Sequence, residues 1–185
     1  MMVDLSTLIE QVAGDPPDEV PAPHEMIQSR FGPLFIRRDK TIVMPGGLLG
    51  MPERKQFAIG LFPAGKSIAL TYHIPFLILQ SLEELSLSFM VAPIALDSRL
   101  SPYLPRYTPE EIALCLAETG GDETSAALLG IVTIQGRSET GKVKLSLNAR
   151  APVVVHTGLR QGFQYVFPGN HHLIRHPLYA EDPAL

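Results

Sequence analysis

From Arg30 onward, apolar residues fall into short runs or alternate with polar ones, and turn residues break each run. Segments 34–37 and 41–44 flank a turn-like Arg38-Asp39-Lys40. Segments 56–62, 67–73, 76–80, 87–92, 126–134, 142–147, 153–157 and 163–167 follow. Most are rich in β-branched and aromatic residues and are bounded by Gly, Pro, Asn or charged residues, which is the signature of strands. About ten such strands predict an all-β, antiparallel fold, either barrel-like or a sandwich. Segments 131–134 and 143–147, joined by a polar loop, read as a hairpin. Lys144 and Ser146 alternate there with Val143, Leu145 and Leu147, so one face is wet.

One short helix interrupts the strands. Thr108 can cap it, Pro109 suits its first position, and Glu111 closes a capping box. Both Glu110 and Glu111 favour the positive end of the macrodipole. Ile112 and Leu116 share a face with Cys115 beside them, and Gly120-Gly121 ends the helix. Cys115 reads as a buried apolar residue, since nothing near it in sequence would depress its pKa.

Residues 1–27 differ from the rest. Leu5, Leu8, Ile9 and Val12 recur at helical spacing, and residues 14–23 are proline-rich and extended. This segment is expected to be an acidic, flexible tail, with a docking helix as the alternative. Residues 28–185 are expected to form one β domain. The chain has 185 residues, 45% of them apolar, enough for a sizeable core. Residues 1–29 carry six acids and no Lys or Arg, so the body is close to neutral. Direct binding to nucleic acid needs a basic footprint and is not expected. No apolar run reaches the roughly 20 residues of a membrane span, and no secretory signal is seen. A single cysteine excludes an intramolecular disulfide framework. A cytoplasmic location fits these features.

Candidate chemistry is sparse. Gly60, Gly65, Lys66 and Ser67 match the pattern of a phosphate-binding loop. Such a loop must open a helix, whereas the residues after Ser67 are β-branched and aromatic and run to Pro75. A hairpin loop is the better reading. His171, His172 and His176 invite a metal. On a strand His172 and His176 would share a face while His171 points away, and no acid lies close in sequence. A solvated histidine cluster is expected, with no metal and no cofactor. No nucleophile elbow is present. Residues 148–152, Asn-Ala-Arg-Ala-Pro, form a polar corner where an amide can stitch backbone groups together.

Several segments in order resemble one family. They are Arg30-Phe31-Gly32, the Pro45–Gly50 loop, Leu79-Gln80-Ser81, and Leu87-Ser-Phe89. The 108–118 helix, residues 131–134 and 148–154, Gln164 and Ile174-Arg175 complete the set. Together they resemble the FliW flagellar assembly factors over residues 29–178. Departures include Leu49-Gly50-Met51, Ala149, His156, a longer 97–107 loop and the acidic tail. The resemblance implies a non-enzymatic protein-binding regulator that binds the translational repressor CsrA and flagellin, coupling flagellin synthesis to secretion. Neither nucleic acid nor a membrane is expected as a direct partner, and a monomer is expected. Alternatives are a nucleotide-binding enzyme using residues 60–67 and a small-ligand-binding β-barrel with an open interior. Candidate partner-binding residues are Pro45, Leu48, Leu49 and Met51 in the turn and Arg99, Tyr103, Arg106 and Tyr107 in the following loop. Gln80 and Asn148 join them, although both also read as buried amides.

Overall fold

Eleven strands were found among the described residues of the computed structural model, which are 24–61, 74, 76–94, 103–120, 126–137 and 143–178. They are β1 (His24–Ser29), β2 (Gly32–Arg37), β3 (Ile42–Val43), β4 (Gln56–Leu61), β5 (Leu77–Ser81) and β6 (Ser88–Pro93). Helix α1 (Pro109–Thr119) precedes β7 (Ala126–Arg137), β8 (Val143–Leu147), β9 (Val153–His156), β10 (Gln161–Gln164) and β11 (His176–Pro177). Strands β7, β6, β5, β4, β3, β10 and β9 neighbour one another in that order, and β9 pairs back onto β7. Seven strands thus close a barrel, which leaves no edge within the ring. All its pairings are antiparallel except β3 with β10. The all-β, barrel-like expectation is borne out.

The barrel is filled. Ile42, Phe57, Ile59, Leu77, Leu79, Val91, Ala127, Leu129, Val153 and Val155 form one buried cluster drawn from six of the seven strands. The seventh, β10, contributes Gly162. A Cβ there would sit 3.0 Å from Met44 Cε and 3.1 Å from Ile42 Cγ2, so the interior has no room for a larger residue. A ligand-holding barrel needs an open interior, and these side chains occupy it.

Both faces of β5 are covered, and all five of its residues are buried. Ile78 on its outer face meets Ala58, Leu34, Ile36 and Ile27 under the β1–β2 hairpin. The boundary drawn after residue 27 is therefore corrected. His24–Ser29 is a strand, paired in register from His24 with Arg37 to Ser29 with Gly32. Its alternation is weak in sequence, and pairing to β2 specifies it. Arg38 also clasps the Glu25 carboxylate. Residues 1–23 lie outside the described residues, as does the strand expected over 67–73.

On the other side, α1 lays Ile112, Cys115 and Leu116 onto Met90, Ala92, Leu128 and Val154. Its capping box forms as expected. Glu111 N–H donates to Thr108 Oγ1, and Thr108 N–H donates to the Glu111 carboxylate at 2.8 Å. Gly120 ends the helix at φ +76°. The 163–167 strand is shifted: β10 is Gln161–Gln164, and the chain then leaves the ladder. Tyr165 and Phe167 instead donate to the carbonyls of Pro152 and Arg150. Aromatic content marked this segment, but those rings serve the cluster beneath α1 rather than a ladder. β11 was not legible, being two residues paired to β8.

Candidate partner-binding surface

The turn after β3 is shaped by its glycines. Gly47 has φ +66°, and a Cβ there would lie 2.4 Å from Met51 O, so only glycine fits. This drives Leu48 inward. Leu48 is 2% exposed and belongs to the barrel core, and it bridges to Met51. The expectation that Leu48 offers an outward contact is corrected. Leu49, its neighbour, points out and is 57% exposed. Pro45 is exposed, and its carbonyl accepts from Lys55 Nζ at 2.5 Å. Met51 is half-buried against the core. Gly46, Gly47, Leu48, Leu49, Gly50, Pro52, Phe163 and Gln164 line a shallow groove of ≈270 Å³ here.

Gln80 is fully buried. Its Nε2 donates to the carbonyls of Ser81 (2.8 Å), Leu85 (3.1 Å) and Leu87 (3.1 Å), and its Oε1 accepts from Ser88 Oγ at 2.5 Å. It ties the β5–β6 turn to the sheet and cannot touch a partner, which corrects its place among the contact residues. Asn148 is half-buried, and its Oδ1 accepts from Ala151 N–H at 3.0 Å. It closes the polar corner that the sequence suggested.

That corner is the hub of the surface. Gln164 Nε2 donates to Ala151 O at 3.0 Å, while its Oε1 accepts from Leu49 N–H at 2.8 Å. Gln164 thus holds the β3–β4 turn to the corner. Tyr107 reaches the same corner from the far side, donating its hydroxyl to Ala149 O at 2.5 Å. Its ring stacks on Phe167 at 4.8 Å. Burial raises the Tyr107 phenol above its usual range, and the Glu111 charge adds to this. Tyr107 is a latch rather than a free contact. Tyr103 is 38% exposed, with its carbonyl accepting from His176 Nε2 at 2.9 Å, and Arg106 is exposed. Arg99 lies outside the described residues. The exposed apolar side chains Val166, Leu173 and Ile174 follow the same corner. Sequence reasoning did not mark them as surface contacts: Val166 fell in the strand expected over 163–167, and Leu173 and Ile174, just after the bend at 168–172, carry no periodic signal.

The nucleotide reading loses its first element. Gly60 is a buried strand residue, antiparallel to Ile78, and a Cβ on it would lie 2.5 Å from Leu34 Cδ1. It is a packing glycine between barrel and hairpin. Phe62 to Ser67 lie outside the described residues. Among the described residues no helix is long and apolar enough to cross a membrane.

The order of elements and the corner that joins them agree with one family, whose profile, FliW protein, matches residues 25–178. The chain belongs to the FliW family. Its relatives include the flagellar assembly factors FliW of Syntrophus aciditrophicus, 30% identical over 81% of this chain and 84% of that one. The Geobacter sulfurreducens FliW is 29% identical over 83% and 85%. The Geotalea uraniireducens FliW is 32% identical over 82% of each. A crystal structure of the flagellar assembly factor FliW shares the fold, with a TM-score of 0.59 at 21% identity over 84% of this chain and 98% of that one.

Proposed function

We propose that this FliW-family chain is a non-enzymatic, cytoplasmic regulator of flagellar assembly that works by binding two proteins, a CsrA-type translational repressor and flagellin. The observation that carries this reading is the family match across residues 25–178, nearly the whole β domain. Two features of the fold support it. The barrel interior is packed with side chains rather than open to a substrate. An exposed apolar and polar surface surrounds the Asn148–Pro152 corner. On that surface Pro45, Leu49, Met51, Tyr103 and Arg106 present the apolar, aromatic and guanidinium groups that favour protein contacts. If flagellin and the repressor each bind the factor and weaken the other's binding, the weakening is reciprocal, so free flagellin releases the repressor.

Calorimetry of the full chain against the same organism's CsrA and flagellin tests this, with each titration repeated in the presence of the other protein. Binding to either, at micromolar Kd or tighter, supports the reading. Binding to neither by folded protein refutes it.

A further inference from the structure

Two histidines and a carboxylate from distant parts of the chain converge beside the N-terminus of α1. His171 Nε2 lies 2.5 Å from Glu111 Oε1, and His172 Nε2 lies 2.8 Å from the same oxygen. The three donor atoms all fall within 4.8 Å of one another. This corrects the expected facing of the histidines. The chain leaves β10 and bends at 168–172, so the adjacent rings turn to one point. His176 sits apart, donating to Tyr103 O at 2.9 Å.

The carboxylate divides its oxygens. Oε2 accepts the Thr108 N–H of the capping box, and Oε1 is turned to the histidines. Capping alone explains the first oxygen and not the second. Both Nε2 atoms crowd the one oxygen, with ring centroids 4.2 Å apart. As Nδ1–H tautomers the two rings would offer Nε2 lone pairs beside that oxygen, three donor atoms within 4.8 Å of one another. The helix terminus carries roughly half a positive charge, which the Glu110 and Glu111 carboxylates offset.

The surroundings orient the donors. The His172 side chain is 9% exposed and sits against Tyr107 at 4.5 Å and Phe167 at 5.2 Å. Tyr107 is itself held by its bond to Ala149 O. Gly169, at φ +77°, lets the His171 ring fold back, since a Cβ there would lie 3.3 Å from His171 Nδ1. The His171 side chain is 60% exposed, which leaves an open side where water can complete the coordination.

We propose that Glu111, His171 and His172 form a three-ligand site for a first-row transition-metal dication of the Zn²⁺ class. Two imidazole nitrogens with one carboxylate suit Zn²⁺, Co²⁺ or Ni²⁺, whereas Mg²⁺ and Ca²⁺ require mostly oxygen ligands. Three protein ligands leave one position for water or a partner's side chain. The ion would staple the start of α1 to the segment after β10, two pieces 60 residues apart in sequence.

The test uses full-length protein without a purification tag, stripped with chelator. Zn²⁺ is titrated by thermal unfolding and Co²⁺ by visible absorption. One equivalent is expected to bind, raise the thermal midpoint and give the intense visible bands of low-coordinate Co²⁺. His171→Ala, at an exposed position, is expected to weaken binding roughly tenfold or more. Glu111→Gln keeps a residue suited to the capping box, so its loss of binding reports ligation rather than misfolding. His176→Ala is expected to bind as wild type does. Three results overturn the proposal: no Co²⁺ bands and no Zn²⁺-dependent midpoint shift in the wild type, unchanged binding in both ligand variants, or equal loss in His176→Ala.

Discussion

Replacing Gln80 by Leu keeps most of the side-chain volume and deletes one amide. The native amide serves four groups with two N–H hydrogens and one oxygen. Leu87 O keeps a second partner in Ser81 N–H at 3.0 Å, and Leu85 is exposed enough for water to reach its carbonyl. Ser81 O is left in the buried interior, and the Ser88 hydroxyl keeps the Arg30 N–H it accepts at 3.3 Å but loses the acceptor for its own hydrogen. Each buried polar group stranded in this way costs about 1–2 kcal/mol, so the total loss is about 2–4 kcal/mol. Urea unfolding followed by circular dichroism reads it directly. With a slope of about 2 kcal/mol/M, the midpoint falls by about 1–2 M while the slope stays unchanged. The variant that remains folded should bind partners with wild-type affinity, because the amide lies beneath the surface. A midpoint shift below about 0.5 M together with lost binding would refute the reasoning and return Gln80 to the interface.

Leu48 and Leu49 are neighbours with opposite expectations. Leu48→Asp buries a charge in the barrel core and should leave little folded protein at 25 °C by circular dichroism. Leu49→Asp should change stability by less than about 0.5 kcal/mol in urea unfolding, yet weaken partner binding in calorimetry. Cys115 is buried, and burial first, then the Glu118 charge, pushes its thiol up to about 12. Alkylation by iodoacetamide at pH 8 should therefore follow the fraction unfolded across a urea titration; fast labelling of native protein would place the thiol at the surface. The Glu83 carboxylate accepts from the N–H groups of Lys55 (2.6 Å) and Gln56 (3.1 Å), which lower its pKa from the ordinary 4.5. A depressed folded value stabilises the protein above the unfolded pKa and is lost as pH falls through the folded one. The urea midpoint of Glu83→Gln should thus lie below that of wild type at pH 7, and the gap should close as pH is lowered below 4.5; a gap that persists would contradict the assignment.

Much of the barrel was legible because strand periodicity and turn residues are local signals. β4, β5, β6 and β9 fall within one residue of their expected positions, and β7 starts where expected and runs three residues further. The capping box at Thr108 was readable for the same reason, since cap and partner lie three residues apart. What sequence did not carry is what long-range pairing decides. Strand β1 exists through its register with β2, and β11 through two pairs with β8. Gln80 was readable as a buried amide, but only contacts across the β5–β6 turn distinguish that role from a binding one. Glu111 met His171 and His172 across 60 residues, and a search for ligands close in sequence could not find it.

The same argument explains why the surface was half-legible. Apolar residues in the β3–β4 turn stood out, but their direction depends on one backbone position. Gly47 at φ +66° turns Leu48 into the core and leaves Leu49 outside. Once Leu49 is outside, its N–H is held by Gln164, which also holds Ala151 O, and Tyr107 grips Ala149 O from the other side. One five-residue corner therefore fixes the places of two loops that are far apart in sequence. A partner seated on either loop would press on the corner through a hydrogen bond rather than through a flexible side chain. That gives two binding events on this face a physical route to influence each other, and Gln164→Ala is the substitution that would cut it while leaving the corner's own Asn148 bond to Ala151 N–H in place. In calorimetry, each partner should still bind this variant alone, and the change one partner makes in the other's affinity should shrink; coupling unchanged from wild type would show that the route runs elsewhere.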